Sequence, residues 1–204
     1  MPSAQSLIPN IMNIDSRRKI KEMIVNQRTV SIWLVGLSGS GKSTLAYELD
    51  TALAAQGYLS VILDGDDIRK GLNSNLGFSE SDRMENIRRI SEVSKLFIDN
   101  GVITLNAFIC PSEKMRAVAK NIIGDDDFLL IYLDTPVEVC EKRDVKGLYK
   151  KARKGEIKEF TGISADFEQP KKADLVLDTA NNDIDECIVK LVNFILPRIS
   201  GKMI

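Results

Sequence analysis

The chain contains no histidine among its 204 residues. Histidine is the usual general base, the usual activator of a nucleophile and the commonest metal ligand, so all three roles must be filled by other residues. Proton transfer here has to use carboxylates, lysine, tyrosine or cysteine. Aromatic residues are also few, at 6% of the chain.

Cysteine is scarce as well, and its positions indicate free thiols. Cys110, Cys140 and Cys187 are widely separated, and no CxxC pair is present. An odd number of scattered cysteines favours a reducing compartment. The first ten residues, MPSAQSLIPN, lack the cationic head and apolar run of a signal peptide, and no stretch approaches membrane-spanning length. We therefore expect a cytoplasmic protein that does not enter a membrane.

An excess of charge of either sign is missing too. The 28 Lys and Arg residues nearly balance the 29 Asp and Glu residues, which leaves a net charge of −1. A nearly neutral chain gives no reason to expect nucleic-acid or membrane-surface binding. Any anion that the protein recognises must be held by a few local cations.

What the chain does have is a regular alternation of apolar runs and helical patterns. Strands are predicted at 29–36, 58–64, 102–109, 128–134 and 173–179, and helices at 42–55, 82–99, 113–122, 136–143 and 184–195. This alternation predicts an α/β domain with a mostly parallel five-stranded sheet and helices on both faces. In such sheets ligands bind beyond the carboxyl ends of the strands. That edge should gather the loops at 36–43, 64–80, 108–116 and 134–136 and the segment 144–172.

The pattern also suggests how the chain is divided. Residues 1–28 are predicted to form a peripheral N-terminal arm, with one short amphipathic helix as an option after Ser16. Residues 29–204 form one domain. Within it, 144–172 is rich in Lys, Gly and Glu with little periodicity, so we expect a long mobile loop there.

A phosphate-binding motif lies between the first predicted strand and the following helix. Residues 36–43, GLSGSGKS, fit G-x-x-x-x-G-K-[ST]. Glycines allow successive backbone N–H groups to turn toward an anion beside a helix N-terminus. Lys42 adds a positive charge for the β- and γ-phosphates, and Ser43 offers a hydroxyl to Mg²⁺. The motif predicts nucleoside triphosphate binding but does not identify what receives the phosphate.

Carboxylates follow the second predicted strand, in the sequence LDGDD at 63–67. A carboxylate at this sheet edge can orient water on Mg²⁺ or accept a proton from an attacking hydroxyl. In a chain without histidine, Asp66 is the first candidate for this role and Asp64 the second. The alternative is that Asp66 or Asp67 only caps a helix.

Cationic and aromatic residues come next. Arg83 and Asn86 are three residues apart on one predicted helix and share a face, so with Arg69 they could hold an anion. Phe78 lies in a glycine-flanked loop, where an exposed ring could stack on a base. The alternative is a core position for Phe78 and solvated arginines.

These residues carry a family resemblance. The blocks GLSGSGKSTLA, LDGDDIRKGLNSNLGFSESDRMENIRRISEVSKLF and CEKRDVKGLYKKARKGEIKEFTGI resemble adenylyl-sulfate kinases, over a span from about Arg28 to Thr179. The resemblance implies a three-layer P-loop kinase fold and transfer of phosphate from ATP, with Mg²⁺, to the 3'-hydroxyl of adenosine 5'-phosphosulfate (APS). It also implies a homodimer.

The resemblance assigns roles to individual residues. It makes Asp66 and Lys42 catalytic, and Ser43 and Asp64 the metal-site residues. ATP binding falls to Gly36, Ser38, Gly39, Ser40, Gly41, Lys42, Ser43, Thr44 and Arg143. APS binding falls to Asp66, Arg69, Phe78, Arg83, Asn86, Ile109, Cys110, Lys146 and Phe160, with the two phenylalanines on either side of the adenine. Residues 146–160 would form a lid over both nucleotides.

The chain departs from the family pattern after the third strand. The run Ser-Pro-Tyr-Arg-x-Asp-Arg is replaced by CPSEKMR at 110–116, so Cys110, Glu113 and Met115 are changed. Loss of an arginine beside an anionic substrate motivates a second hypothesis, a kinase for another anionic or nucleotide-linked alcohol. A third hypothesis is a nucleotide-binding regulatory subunit without catalysis. The intact Lys42 and Asp66 argue against the third.

Overall fold

The computed structural model describes residues 14–201 as a single alternating succession of helices and strands. The strands are β1 (Ser31–Val35), β2 (Ser60–Asp64), β3 (Ile103–Phe108), β4 (Phe128–Asp134) and β5 (Leu175–Asp178). The helices are α1 (Ile14–Val25), α2 (Lys42–Ala54), α3 (Gly65–Lys70), α4 (Glu80–Ile98), α5 (Glu113–Ile123), α6 (Val137–Arg143), α7 (Leu148–Arg153) and α8 (Ile184–Ile199). The sequence pattern predicts all five strands, and α2, α4, α5, α6 and α8, within a few residues.

The strands form one sheet in the order β2-β3-β1-β4-β5, and all four pairings are parallel. The central strand β1 places Ile32 opposite Leu105 on one side and Leu129 on the other. The prediction of an α/β fold with a five-stranded parallel sheet is confirmed. All five carboxyl ends point to the same edge, which is where such sheets bind ligands.

Alternating side chains of β1 divide the core into two layers. Ile32 and Leu34 pack with α2 and α8 on one face, whereas Trp33 and Val35 pack with α4 and α5 on the other. Because both faces are covered, the strand is apolar throughout and does not alternate between apolar and polar residues. In the part of the chain that is described, no helix is both long and apolar enough to cross a bilayer.

The described part of the predicted N-terminal arm, residues 14–28, makes buried contacts with the domain. Gln27 is fully buried, and its amide nitrogen donates to the carbonyls of Leu59 and Gly101 at 2.9 Å each. Arg18 on α1 forms an ion pair with Asp127. Residues 1–13 of the predicted arm lie outside the described residues.

The segment 144–172 also differs from the irregular loop expected. It contains α7, and the side chains of Tyr149, Ala152 and Phe160 are buried in a small cluster with Cys140 of α6. The sequence pattern missed this helix because six residues are too few to show helical periodicity. The segment packs on α6 through its own apolar side chains.

Candidate active site

A cavity of about 1440 Å³ opens at the carboxyl ends of the strands. With one exception, every residue that the sequence analysis assigned to a site lines it. They are Ser38, Gly39, Ser40, Gly41, Lys42, Ser43, Thr44, Asp64, Asp66, Arg69, Phe78, Arg83, Asn86, Ile109, Cys110, Arg143, Lys146 and Phe160. The exception is Gly36, which lies behind the loop against β4. The fold therefore gathers residues that are more than a hundred positions apart into one cleft.

Glycine is required at two positions of the phosphate-binding loop. A Cβ atom on Gly36 would lie 2.9 Å from the carbonyl oxygen of Leu133, closer than real side chains approach. Gly39 has a φ of +77°, and a Cβ there would lie 3.0 Å from the carbonyl oxygen of Cys140. The absence of a side chain at Gly36 thus allows the loop to pack closely on β4, and at Gly39 it allows the left-handed backbone conformation of the turn.

Lys42, at the first position of α2, is held inside the loop. Its side chain is 9% exposed, and Nζ donates to the carbonyl of Leu37 at 2.6 Å. Burial lowers the pKa of Lys42 to about 8, although nearby acidic groups, including Asp64 and Asp66, oppose the shift. The ammonium therefore remains mostly protonated at neutral pH and is poorly hydrated, which suits it to an incoming phosphate.

Ser43 and Asp64 lie together at the floor of the cavity. The Ser43 hydroxyl donates to Asp64 Oδ2 at 2.5 Å, while Asp64 Oδ1 accepts from the backbone N–H of Asp66 at 2.9 Å. Asp64 is therefore the N-cap of α3, and the alternative that Asp66 or Asp67 caps this helix is wrong.

The chemistry of this pair suits Mg²⁺ bound together with a nucleotide. Both donors are oxygens, and Mg²⁺ in kinases takes most of its ligands from water and phosphate rather than from a protein cage. No group of three or more potential His, Cys, Asp or Glu metal ligands occurs within residues 14–201.

Asp66 faces the same cavity as Lys42. Its carboxylate is 59% exposed and forms an ion pair with Lys146, which is 60% exposed and comes from the segment before α7. The carboxylate of Asp66 is also close enough to favour the charged form of Lys42. The predicted catalytic pair is thus brought into one cleft.

The two aromatic residues predicted to bind the adenine differ in burial. Phe78 is 60% exposed, and the Arg69 guanidinium lies 4.4 Å from the centre of its ring. Phe160 is 9% exposed and meets Tyr149 edge-on, with ring centres 4.9 Å apart. The alternative that Phe78 is a core residue is wrong. The sandwich itself stays a prediction.

The two arginines predicted to hold the acceptor donate to backbone carbonyls and to one hydroxyl. Arg69 donates to Gly77 at 2.8 Å. Arg83 donates to the carbonyl of Glu159 at 2.6 Å and to the Thr161 hydroxyl at 2.9 Å. Arg83 therefore ties α4 to the end of the lid segment, and neither guanidinium is simply solvated.

The altered loop at 110–116 is anchored largely outside the cavity. Glu113 accepts from the backbone N–H of Lys171 at 2.8 Å and pairs with Arg116 at 3.1 Å, and it does not line the cavity. Met115 and Cys110 do line it. Burial raises the pKa of the Cys110 thiol to about 12, so this cysteine is protonated and unreactive at neutral pH.

Sequence reasoning missed two cavity-lining residues whose hydroxyls donate to backbone carbonyls of the phosphate-binding loop. The Tyr149 hydroxyl donates to the carbonyl of Ser38 at 2.8 Å, and the Thr179 hydroxyl donates to the carbonyl of Ser40 at 2.9 Å. Arg143 donates to the carbonyl of Thr179 at 2.5 Å. No motif marks such contacts, because they join parts of the chain that are distant in sequence.

One expected loop lines a different cavity, and an unexpected one lines the main cleft. Residues 134–136 border a separate cavity of about 420 Å³. The loop after β5, together with the first residues of α8, contributes to the large cavity instead, from Thr179 to Asp185. The rule that ligands bind at strand carboxyl ends would have identified this loop had it been applied to β5.

Comparison with known proteins agrees with this geometry. The family model described as adenylylsulphate kinase matches residues 28–178. The chain is 58% identical over 185 residues to an adenylyl-sulfate kinase of Bacteroides thetaiotaomicron, covering 91% of this chain and 92% of that one. It is 48% identical over 178 residues to the Clostridium kluyveri adenylyl-sulfate kinase, covering 87% of this chain and 89% of the relative.

Solved structures give the same result. A Mycobacterium tuberculosis APS kinase in complex with AMPPNP and APS superimposes with a TM-score of 0.79 and 44% identity, over 82% of this chain and 98% of that chain. A hexameric APS kinase from Thiobacillus denitrificans gives a TM-score of 0.61 and 26% identity, over 83% of this chain and 29% of that longer chain. The chain therefore belongs to the adenylyl-sulfate kinase family.

Proposed function

We propose that this protein transfers the γ-phosphoryl group of ATP to the 3'-hydroxyl of APS, giving ADP and 3'-phosphoadenosine 5'-phosphosulfate in sulfate assimilation. The observation that carries the proposal is that Lys42 and Asp66 line a single cavity in a chain of this family. Phosphoryl transfer requires little of the protein beyond alignment and charge stabilisation, and the cleft offers both.

The donor half of the cleft suits a triphosphate. Backbone N–H groups from Gly39 to Ser43 would hold the phosphates at the N-terminus of α2, and Lys42 would lie against the β- and γ-phosphates. Arg143, exposed beside Thr179, would cover the ATP base. Ser43 and Asp64 would hold Mg²⁺ with the nucleotide, and the ion would neutralise charge on the transferring group.

The acceptor half suits an anionic nucleotide. Arg69 and Arg83 provide charge for the phosphosulfate end, and Asn86 provides an amide. The exposed face of Phe78 and the ring of Phe160 border the same space and would receive the adenine. Lys146 would leave its ion pair with Asp66 to contact the substrate, at little cost because exposed ion pairs contribute only about 0–1 kcal/mol.

The reaction proceeds in this account by direct displacement. The Asp66 carboxylate accepts the proton of the 3'-hydroxyl as that oxygen attacks the γ-phosphorus, and the β–γ bridging oxygen leaves with ADP. Lys42 stabilises the negative charge that develops on the transferring oxygens. The lid segment, held to α4 by Arg83, would exclude water that would otherwise accept the phosphoryl group.

Two further properties belong to this proposal. Cys110, Cys140 and Cys187 are all free and buried, which supports a cytoplasmic location. A homodimer stays a prediction, and the hexamer described for a relative makes the oligomer worth measuring. Sedimentation of the purified chain over a range of concentrations would give its state.

A coupled ADP-release assay tests the proposed reaction. With ATP, Mg²⁺ and micromolar APS, we expect turnover far above the rate with ATP alone. No increase over the ATP-only rate, with protein shown to be folded, would contradict the proposal. Tight binding of both nucleotides without turnover would favour the regulatory hypothesis. A panel of other nucleotide 3'-alcohols, ranked by kcat/KM, tests whether the changed loop at 110–116 redirects the acceptor.

A further inference from the structure

A chain of side-chain hydrogen bonds runs from the surface of α4 to the acceptor half of the cavity. Arg89 is partly exposed on α4, and its Nη1 donates to Asn73 Oδ1 at 3.3 Å and to Asn75 Oδ1 at 2.9 Å. Asn73 is fully buried in the loop after α3. Its Nδ2 donates to Asn86 Oδ1 at 2.9 Å. Of these residues only Asn86 lines the cavity.

The direction of each hydrogen bond in this chain follows from the first member. A guanidinium has donors only, so it forces Asn73 to present its oxygen to Arg89. The nitrogen of the Asn73 amide must then face Asn86, which has to accept with Oδ1. The Asn86 nitrogen is left with no protein acceptor among residues 14–201. It is directed away from Asn73, and the residue borders the cavity.

We propose that Arg89, acting through Asn73, fixes the orientation of the Asn86 amide. In this orientation the Asn86 nitrogen, a hydrogen-bond donor, faces the anionic substrate APS, and the Asn86 oxygen does not. The inference rests on the proposed function for its substrate. We call the hydrogen-bonded series Arg89–Asn73–Asn86 the relay. Without it the Asn86 amide could rotate by 180° and exchange the positions of its oxygen and nitrogen, because the two groups have nearly the same size. Arg89 and Asn73 are positioning residues, since neither touches the cavity.

The relay makes a prediction that a role in folding alone does not. In Arg89→Glu the new side chain can only accept, so Asn73 turns its nitrogen outward and presents its oxygen to Asn86. Asn86 then donates to Asn73 and presents Oδ1 to the substrate. A hydrogen bond to a charged group is replaced by repulsion, and we expect the KM for APS to rise roughly 10- to 100-fold. The KM for ATP should stay within about twofold.

Arg88→Glu is the matched control. Arg89 donates from Nε to Glu85 Oε1 at 2.8 Å. Arg88, the neighbouring residue on α4, also forms an ion pair with Glu85, and its contacts are with Glu85 and Glu92. It therefore reproduces the change in charge and the new repulsion with Glu85 without touching Asn73. Arg89→Lys keeps a donor at the start of the relay and should keep a KM for APS near that of the unaltered protein.

Asn73→Asp tests the same reversal of the Asn86 amide at the buried middle position of the relay. A carboxylate at 73 forms an ion pair with Arg89 and accepts from the Asn86 nitrogen, so the Asn86 oxygen again faces the substrate. Asn75→Asp adds the same charge beside the same arginine at an exposed position and should leave the KM for APS unchanged. If Arg89→Glu does not fold, the comparison of Asn73→Asp with Asn75→Asp decides whether the relay operates.

Asn86→Ala completes the panel and separates two ways to fail. If its KM for APS is unchanged, Asn86 does not contact APS, and the proposed role of Arg89 and Asn73 is wrong as well. If Asn86→Ala raises that KM while Arg89→Glu and Asn73→Asp do not, the site stands and the relay is overturned. Equal effects of Arg89→Glu and Arg88→Glu would also overturn it, because charge alone would then explain both.

Discussion

The two halves of the cleft are built differently. On the donor side Ser40 is fully buried, Lys42 is 9% exposed, and the loop carbonyls accept hydrogen bonds from the hydroxyls of Tyr149 and Thr179. On the acceptor side Asp66 is 59% and Phe78 60% exposed. The donor loop is largely prepared before the nucleotide arrives, whereas on the acceptor side Asp66 and Phe78 are exposed and must be ordered with the substrate. Substitutions on the two sides should therefore affect different kinetic constants.

The largest effect is expected on the donor side. Lys42→Ala removes a poorly hydrated positive charge from the phosphates and should lower kcat/KM by about 10³-fold, the upper range for loss of one electrostatic contact. Calorimetry should show weakened ATP binding. Lys120→Ala, a half-exposed lysine on α5, is the control and should change neither constant. Unchanged activity of Lys42→Ala would contradict the claim that Lys42 contacts the phosphates in a site formed before ATP binds.

A smaller effect, confined to the acceptor, is expected at Arg83. Arg83→Ala removes a cation from the acceptor side and the hydrogen bonds that join α4 to Glu159 and Thr161. We expect kcat/KM for APS to fall roughly 10- to 100-fold with little change in ATP binding. Arg88→Ala is a control from the same helix. Equal losses for both nucleotides would show that the two halves are not separable.

A modest effect should appear where the halves meet. Tyr149→Phe keeps the ring against Phe160 but deletes the hydroxyl that donates to Ser38. Loss of one hydrogen bond of about 1 kcal/mol corresponds to roughly a fivefold rise in the KM for ATP. Tyr47→Phe, at an exposed position on α2, should be neutral. A change in the KM for APS alone would place Tyr149 with the acceptor half.

The smallest expected effect is a pH dependence of ATP binding. The pKa of Lys42 is lowered to about 8, and bound phosphates favour its charged form and raise that pKa in the complex. ATP affinity is therefore highest below about pH 7 and falls as pH rises through the pKa of Lys42, by about fourfold between pH 7 and pH 8.5. Calorimetry in buffers of different ionisation enthalpy should detect proton uptake near pH 8.5. Proton release, or none, would contradict the assignment to Lys42.

The same contrast explains how much was predictable from sequence. Apolar runs such as FLLIYLD at 128–134 identify buried strands, and the glycine-rich loop identifies the donor site, because both depend on neighbours in sequence. The helix at Leu148–Arg153 and the partners of Tyr149 and Asn73 depend on contacts between distant segments. The roles of Asp66 and Phe78 were left open by the residues themselves, and the family resemblance supplied them.

The most direct test of the central claim, that donor and acceptor chemistry meet in one cleft but can be separated, is the Asp66→Ala variant. Calorimetry with ATP and the coupled ADP-release assay with APS should be run on the same preparation. We expect ATP affinity within about twofold of the unaltered protein and a kcat lower by roughly 10²- to 10⁴-fold. Full turnover, or loss of ATP binding together with turnover, would contradict the account.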